Sequence, residues 1–215
     1  MKIILVDDHP VVRRGLRSIL ECERDFRVCG EAEEGNQAMK LIADTGPDLA
    51  IVDIELKGNI NGLELIKAIH DRYPGTTTLV MSIDDGTLYA ERAIRAGARG
   101  YIAKEEASDN IIAAIRSVMS GKLYLSSDIS NKIATKHILG QSHESMADVD
   151  CLTNREFEIF TLIGSGYKRK EIAQKLNINI NTIESHRRKI REKLNLDSSA
   201  ELSKTAVNWR LNSSR

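Results

Sequence analysis

Leu49-Ala50-Ile51-Val52-Asp53-Ile54 decides the fold: five apolar residues carry one acid near their downstream end. A short unbroken apolar run fits a strand covered on both faces, as in a parallel sheet wrapped by helices. In open sheets of that kind, ligands collect in crevices beyond the carboxyl ends of the strands. Asp53 is thereby delivered to a crevice. The plainer alternative is an Asp that only caps the next turn. Two more acids, Asp7 and Asp8, close the apolar run 2–6 and tip the balance toward a site.

Outward from this run, strand-like and helical patterns alternate. Segments 2–6, 26–30, 49–54, 78–83 and 99–103 read as strands, and 10–21, 36–44, 63–73, 87–96 and 109–120 as helices. The helical stretches repeat apolar residues every three or four positions, as in Leu63, Ile66 and Ile69 or Ile111, Ile112 and Ile115. Five such βα units within residues 1–121 predict a doubly wound α/β domain with a parallel sheet. If the strand order is flavodoxin-like, Asp7, Asp8, Asp53, Ser82 and Lys104 converge on one crevice at the topological switch point. Three clustered carboxylates repel one another unless a cation joins them, and a hard oxygen-seeking ion such as Mg²⁺ suits that donor set. With the Ser82 hydroxyl and the Lys104 ammonium, such a site has the positioning and charge that phosphoryl transfer to Asp53 requires. Taken singly, Lys104 reads as a surface lysine and Ser82 as a helix cap.

The 215 residues suffice for two domains, and their composition, 41% hydrophobic and 29% charged, is that of a globular chain. No run approaches the roughly 18 apolar residues of a membrane span. The opening run leads straight into Asp7 and Asp8, unlike a cleavable signal. Cys22, Cys29 and Cys151 lack metal-ligand spacing and read as free thiols, so a cytoplasmic location is expected. The net charge of zero hides an asymmetry. Residues 1–121 hold 15 Lys/Arg against 20 Asp/Glu, whereas 122–215 hold 16 against 11. The basic half suits a polyanion.

Between the halves, residues 122–149 read as a linker with a short helix. Ser126 or Ser127 would cap it, and Ile129, Ile133 and Ala134 would share one face. Residues 140–150 read as a flexible tether. Beyond it, Thr153-Asn154-Arg155-Glu156 is a capping box before the apolar stretch 157–163, and Gly164-Ser165-Gly166 ends that helix. A short helix over 170–176 and a tight link lead to Asn179, which can cap a third helix reaching Leu194. On that helix Ile183, Ile190 and Leu194 share a narrow face, opposite Asn181, Glu184, Ser185 and Arg188. Ser198-Ser199-Ala200-Glu201 is a second capping box, opening a last helix through Leu202, Val207 and Trp209. Two short helices joined by a tight turn, the second with a polar outward face, make a helix-turn-helix. Residues 166–195 hold nine Lys/Arg against three Glu. A basic protein-docking bundle is the alternative on charge alone.

Asp7-Asp8, Asp53, Ser82 and Lys104 at their strand ends resemble the phosphoacceptor site of a two-component receiver domain, over essentially all of residues 1–121. The resemblance implies phosphorylation of Asp53 by a sensor histidine kinase. It implies Mg²⁺ held by Asp7, Asp8, Asp53 and the Glu55 backbone carbonyl, Ser82 and Lys104 on the phosphoryl oxygens, and Tyr101 as an aromatic switch. The chain departs from the family where Lys57 stands in place of a usual Pro, and the loop 56–62 looks one residue long. Glu55 and Asp84 add acid nearby and are expected to alter phosphoryl lifetime.

Leu152-Thr153-Asn154-Arg155-Glu156, Lys170-Glu171-Ile172-Ala173, Thr182-Ile183-Glu184-Ser185-His186 and Lys193-Leu194 resemble a LuxR-type DNA-binding domain, spanning most of 150–212 in a domain expected over 150–215. The whole chain is similar to NarL/FixJ-type response regulators, which implies a homodimeric transcription factor on double-stranded DNA. By position Glu184, Ser185 and Arg188, on the face that Asn181 shares, are base readers. Lys168, Arg169, Lys170, Thr182, His186, Arg187, Lys189 and Arg191 are candidates for phosphate contacts, with helix packing an equal alternative for His186. Lys168 stands where the family usually has a capping Ser, and Glu184 where Lys is common. Two other classes stay open: a small phosphatase with Asp53 as covalent intermediate, and a regulator whose receiver works without phosphorylation. Neither a second acid two residues after Asp53 (Glu55 is a weak substitute) nor a substrate domain supports the phosphatase.

Overall fold

The run around Asp53 forms β3 (Leu49–Asp53), every residue of it buried. It is the middle strand of a parallel sheet with β1 (Lys2–Val6), β2 (Arg27–Ala32), β4 (Thr77–Ser82) and β5 (Gly100–Ala103), in the order β2-β1-β3-β4-β5. The computed structural model describes residues 1–58, 60–82, 87–138 and 149–213, which divide into the units Met1–Leu139 and Gly140–Arg215.

Helices α1 (Pro10–Leu20), α2 (Gly35–Thr45), α3 (Gly62–Arg72), α4 (Thr87–Arg95) and α5 (Lys104–Met119) connect and cover the strands. Alternate strand residues explain the two layers. Ile3, Leu5, Ile51, Leu79, Met81 and Ile102 pack with Leu16, Leu20, Ile111, Ile115 and Val118 of α1 and α5. Ile4, Val52, Val80 and Tyr101 are buried on the opposite face. The chain goes from β1 outward to β2, then returns to β3 on the other side of β1, which creates the switch-point crevice.

Local chemistry moved some expected boundaries. The helix expected over 109–120 begins five residues earlier, at Lys104, because Glu105 and Glu106 favour the positive end of a helix. At the outer edge of β5, Tyr101 N donates to Tyr124 O at 2.8 Å and Tyr124 N to Arg99 O at 3.1 Å. The chain then enters α6 (Ser127–Ile138), which packs against α4 and in which Ile129 is buried. Ser126 Oγ accepts from Ile129 N, as expected of a cap. Ile133 is only half-buried and Ala134 is exposed, so the expected apolar face is narrower than its sequence suggests. Most of the expected tether 140–150 lies outside the described residues.

The second unit opens with a 3₁₀ turn (Val149–Cys151), followed by α7 (Asn154–Gly164), α8 (Arg169–Lys175), α9 (Ile180–Lys193) and α10 (Ser199–Ser213). The Thr153–Glu156 capping box is complete, with Glu156 N donating to Thr153 Oγ1 and Thr153 N to Glu156 Oε2. Glu156 also meets Lys193 Nζ at 2.7 Å. Burial pushes the Glu156 carboxyl up, but the bonds from Lys193 and Thr153 outweigh it and hold the group below its ordinary value. Phe157, Phe160, Ile163, Ile172, Ile183, Ile190, Leu202 and Trp209 form the core. The second expected box closes differently. Ser198 Oγ accepts from Glu201 N, but Glu201 turns to Asp197 N instead of the cap residue. Val207 is 38% exposed and adds little to the core. No helix among the described residues is long and apolar enough to cross a membrane.

Candidate functional site

Strand register explains how distant residues meet. Val6 pairs with Val52, so Asp7 follows β1 at the level of Asp53. Asp53 pairs with Met81, which puts Ser82 one step further on, and Ser82 pairs with Ala103, directly before Lys104. Lys104 Nζ lies 2.6 Å from Asp53 Oδ2 and 2.8 Å from Asp7 Oδ2. Asp7, Asp53 and Ser82 are each 1% exposed. Asp53 Oδ1 accepts from Glu55 N at 3.1 Å, which fixes the carboxylate plane at the strand end.

The electrostatics follow from burial. Desolvation pushes the Asp53 carboxyl up to about 6, with Asp7 acting in the same direction and Lys104 opposing both. Burial also lowers Lys104, but the two carboxylates outweigh it and hold its ammonium above the ordinary lysine value. Lys104 is therefore a fixed positive charge facing the acids.

Oxygens of Asp7, Asp8 and Asp53, with a ring nitrogen of His9, lie within 4.8 Å of one another. Buried Asp7 Oδ2 and Asp8 Oδ1 accept no hydrogen bond among the described residues. Lys104 Nζ and His9 Nδ1 lie beside them at 2.8 and 2.7 Å. Carboxylate oxygens with unused lone pairs are the donor set of a hard divalent cation, so the residues present fit Mg²⁺.

Three residues at the site were given no role there by the sequence reading, although Lys57 stood out as a departure from the family. His9 sits beside Asp7 and Asp8. Arg13, 7% exposed on α1, donates to the Asp7 carbonyl and to Glu31 and Glu33, tying the ends of β1 and β2 together. Lys57 reaches Asp8 Oδ2 at 3.0 Å. Pro10 at the helix start was the only cue to the first, and nothing in spacing alone marks the other two. Tyr101 is fully buried. Asp84 lies outside the described residues.

In the second unit, α8 and α9 present the expected helix pair. Lys168, Arg169, Lys170, Asn181, Thr182, Ser185, Arg188 and Lys189 are exposed, and Arg191 is half-buried. His186 and Arg187 turn inward. Burial, assisted by Arg155 and Lys189, lowers the His186 imidazole, and burial likewise lowers Arg187, which is 9% exposed. Arg187 is thereby removed from the solvent-facing set. Glu184 is half-buried and bound to Arg169 of α8 at 3.0 Å, so two expected DNA contacts brace each other across the helices. The missing Ser at the α8 start is compensated from within, because Glu171 Oε2 accepts from Lys168 N at 2.7 Å.

A doubly wound domain with an acid–lysine crevice, followed by a helix-turn-helix unit, defines a receiver-type transcription regulator. Residues 3–116 match the family model of the response regulator receiver domain, and residues 150–206 that of bacterial regulatory proteins of the luxR family. The chain belongs to the NarL/FixJ-type response regulators, a family of DNA-binding transcription regulators. It is 33% identical to the oxygen regulatory protein NreC of Staphylococcus aureus over 98% of this chain and 99% of that protein. A LuxR-family two-component response regulator from Aurantimonas sp. SI85-9A1 is 32% identical, with a TM-score of 0.60, covering 64% of this chain and 97% of that one. A structure of two RcsB dimers bound to two parallel DNAs is 25% identical, with a TM-score of 0.59, covering 95% of this chain and 97% of that one.

Proposed function

We propose that the protein is a cytoplasmic transcription factor controlled by phosphorylation of Asp53, with a sensor histidine kinase as donor. The observation that carries this reading is Lys104 bridging Asp53 and Asp7 at the ends of buried strands, one register step from Ser82. An Asp53 oxygen attacks the phosphorus, the bond to the donor imidazole breaks, and the imidazole leaves with that bond's electrons. Mg²⁺, held by Asp7, Asp8, Asp53 and the Glu55 carbonyl, would neutralise phosphoryl oxygens when bound. Lys104 and the Ser82 hydroxyl take the others. The new charge and acceptor oxygens favour a state in which both groups close on the phosphoryl group, and Tyr101 occupies the space Ser82 vacates. That state pairs two copies of the chain and strengthens promoter binding; the RcsB dimers on DNA support the dimeric form.

Intact-protein mass after incubation with a small phosphodonor and Mg²⁺ tests the acceptor. A gain of one phosphoryl group is expected in the wild type and none in Asp53→Ala. No gain in the wild type with either a small donor or a phosphorylated histidine kinase would shift the reading to a receiver that works unphosphorylated.

On the DNA side, Arg188 is exposed on α9 and serves as base reader, whereas exposed Lys170 at the start of α8 serves as phosphate contact. Arg188→Ala should reduce the preference for a site selected from a random pool over random DNA by about tenfold to a hundredfold. Lys170→Ala should weaken both alike and flatten the salt dependence by about one unit of slope. Binding titrations at several salt concentrations separate the two. Identical losses on both DNAs for both variants would remove the assignment.

A further inference from the structure

We propose that Lys57 is a built-in competitor of the divalent cation: its ammonium neutralises Asp8 when no metal is bound and yields that carboxylate when the metal enters. The inference rests on the reading of Asp7, Asp8 and Asp53 as a metal site. Lys57 Nζ lies 3.0 Å from Asp8 Oδ2. The acid side chain is only 6% exposed and the lysine side chain 55%, so the carboxylate is fixed and the lysine is the partner free to swing away.

The backbone beneath Lys57 is held in place. Residue 57 forms a β-bridge with Glu34, ahead of α2, and Leu56 beside it is 1% exposed. Gly58, at φ +99°, then turns the loop in a conformation that side chains with a Cβ rarely adopt. An anchored stem keeps the ammonium near Asp8 at high effective concentration, as a short linker does for any tethered ligand. The three basic side chains around the acids divide the work. Lys104 touches Asp53 and Asp7, His9 touches Asp7 and Asp8, and Lys57 contacts Asp8 without reaching the acceptor. Its charge therefore bears on the cation and not on the attacking oxygen.

A seated ammonium lowers affinity for an incoming divalent ion in two ways. It offsets the Asp8 charge that draws the ion, and it repels the ion until it moves. Water screening keeps the effect modest for a half-exposed lysine.

The test is Mg²⁺ titration of the full chain by calorimetry, with thermal melting in the presence and absence of Mg²⁺. Lys57→Gln should bind Mg²⁺ about threefold to tenfold more tightly than wild type. Without metal it should melt lower, and it should gain more on Mg²⁺ addition. Lys57→Arg, which keeps the charge, should stay within about twofold of wild type. Equal or weaker Mg²⁺ binding by Lys57→Gln overturns the proposal. Asp8→Asn separates this failure from that of the underlying reading. If Asp8→Asn binds Mg²⁺ as wild type does, or if no chain binds it, the metal site itself is wrong and the competitor falls with it.

Discussion

Gly62→Ala should destabilise the first unit by about 3 kcal/mol or more and slow phosphoryl uptake with it. A Cβ at this position would collide with the Asp53 carbonyl oxygen and lie 2.6 Å from Ile54 Cα. Both are backbone atoms, so relief requires moving the end of β3 or the start of α3. Neither moves easily. Gly62 N donates to Ile54 O at 3.1 Å, and the helix start is fixed by a capping box between Asn61 and Glu64. The displaced atoms carry the acceptor, so stability and chemistry suffer together. Melting should fall by about 10 °C or more, read by calorimetry on the full chain. Gly15 is the internal control. An added Cβ there meets nothing within 4 Å, in the middle of α1, so Gly15→Ala should stabilise by about 0.5–1 kcal/mol. A melting point unchanged in Gly62→Ala would show that the loop tolerates a shift the geometry forbids.

Trp209→Ala should remove most of the stability of the second unit. The indole meets Phe157 edge-on at 5.5 Å and Phe160 at 5.7 Å, and it is 9% exposed. Truncating a buried aromatic costs about 3–5 kcal/mol, comparable with the entire margin of a small domain. Binding to any DNA, specific or random, should be lost at physiological temperature, while phosphoryl uptake by the first unit continues. Trp209→Phe, which keeps an aromatic ring, should lose about half as much or less. Trp209 is the chain's single tryptophan, so its fluorescence reports unfolding of the second unit alone in the wild type. Circular dichroism follows the variants. Retained DNA binding by Trp209→Ala would mean that α7 and α10 hold without their aromatic contact.

Period and burial made the sheet legible. An apolar run with one terminal acid is a local signal, and β3 is buried throughout, as that signal requires. Alternation put Asp53, Ser82 and Lys104 at strand ends, and a flavodoxin-like strand order, the condition for their meeting, makes those ends neighbours. Contacts made by long side chains were not legible in the same way. Whether Lys57 points to solvent or to Asp8 depends on how the loop before α3 folds, and the 3.0 Å ion pair crosses from one strand-end loop to another. The pairing of Glu184 with Arg169 joins residues on two helices whose crossing geometry no periodicity states. On α9, Arg187 lies between Ile183 and Ile190 and follows them inward, although its chemistry had placed it at the surface. An arginine can bury its stem with its neighbours, and a reading by residue type misses that.

The strand-like pairing of Tyr124 with the outer side of β5 bears on how the protein can be divided. A fragment ending at Gly121 would contain all five strands and every acid of the crevice, yet it would lose the backbone groups that Tyr101 N and Arg99 O engage. An uncovered strand edge is a template for another chain. Such a fragment would tend to associate edge to edge, and the resulting dimers could be mistaken for the response to phosphorylation. A fragment extended through Ile138 keeps its own edge covered and is the sounder reference for what Asp53 does by itself.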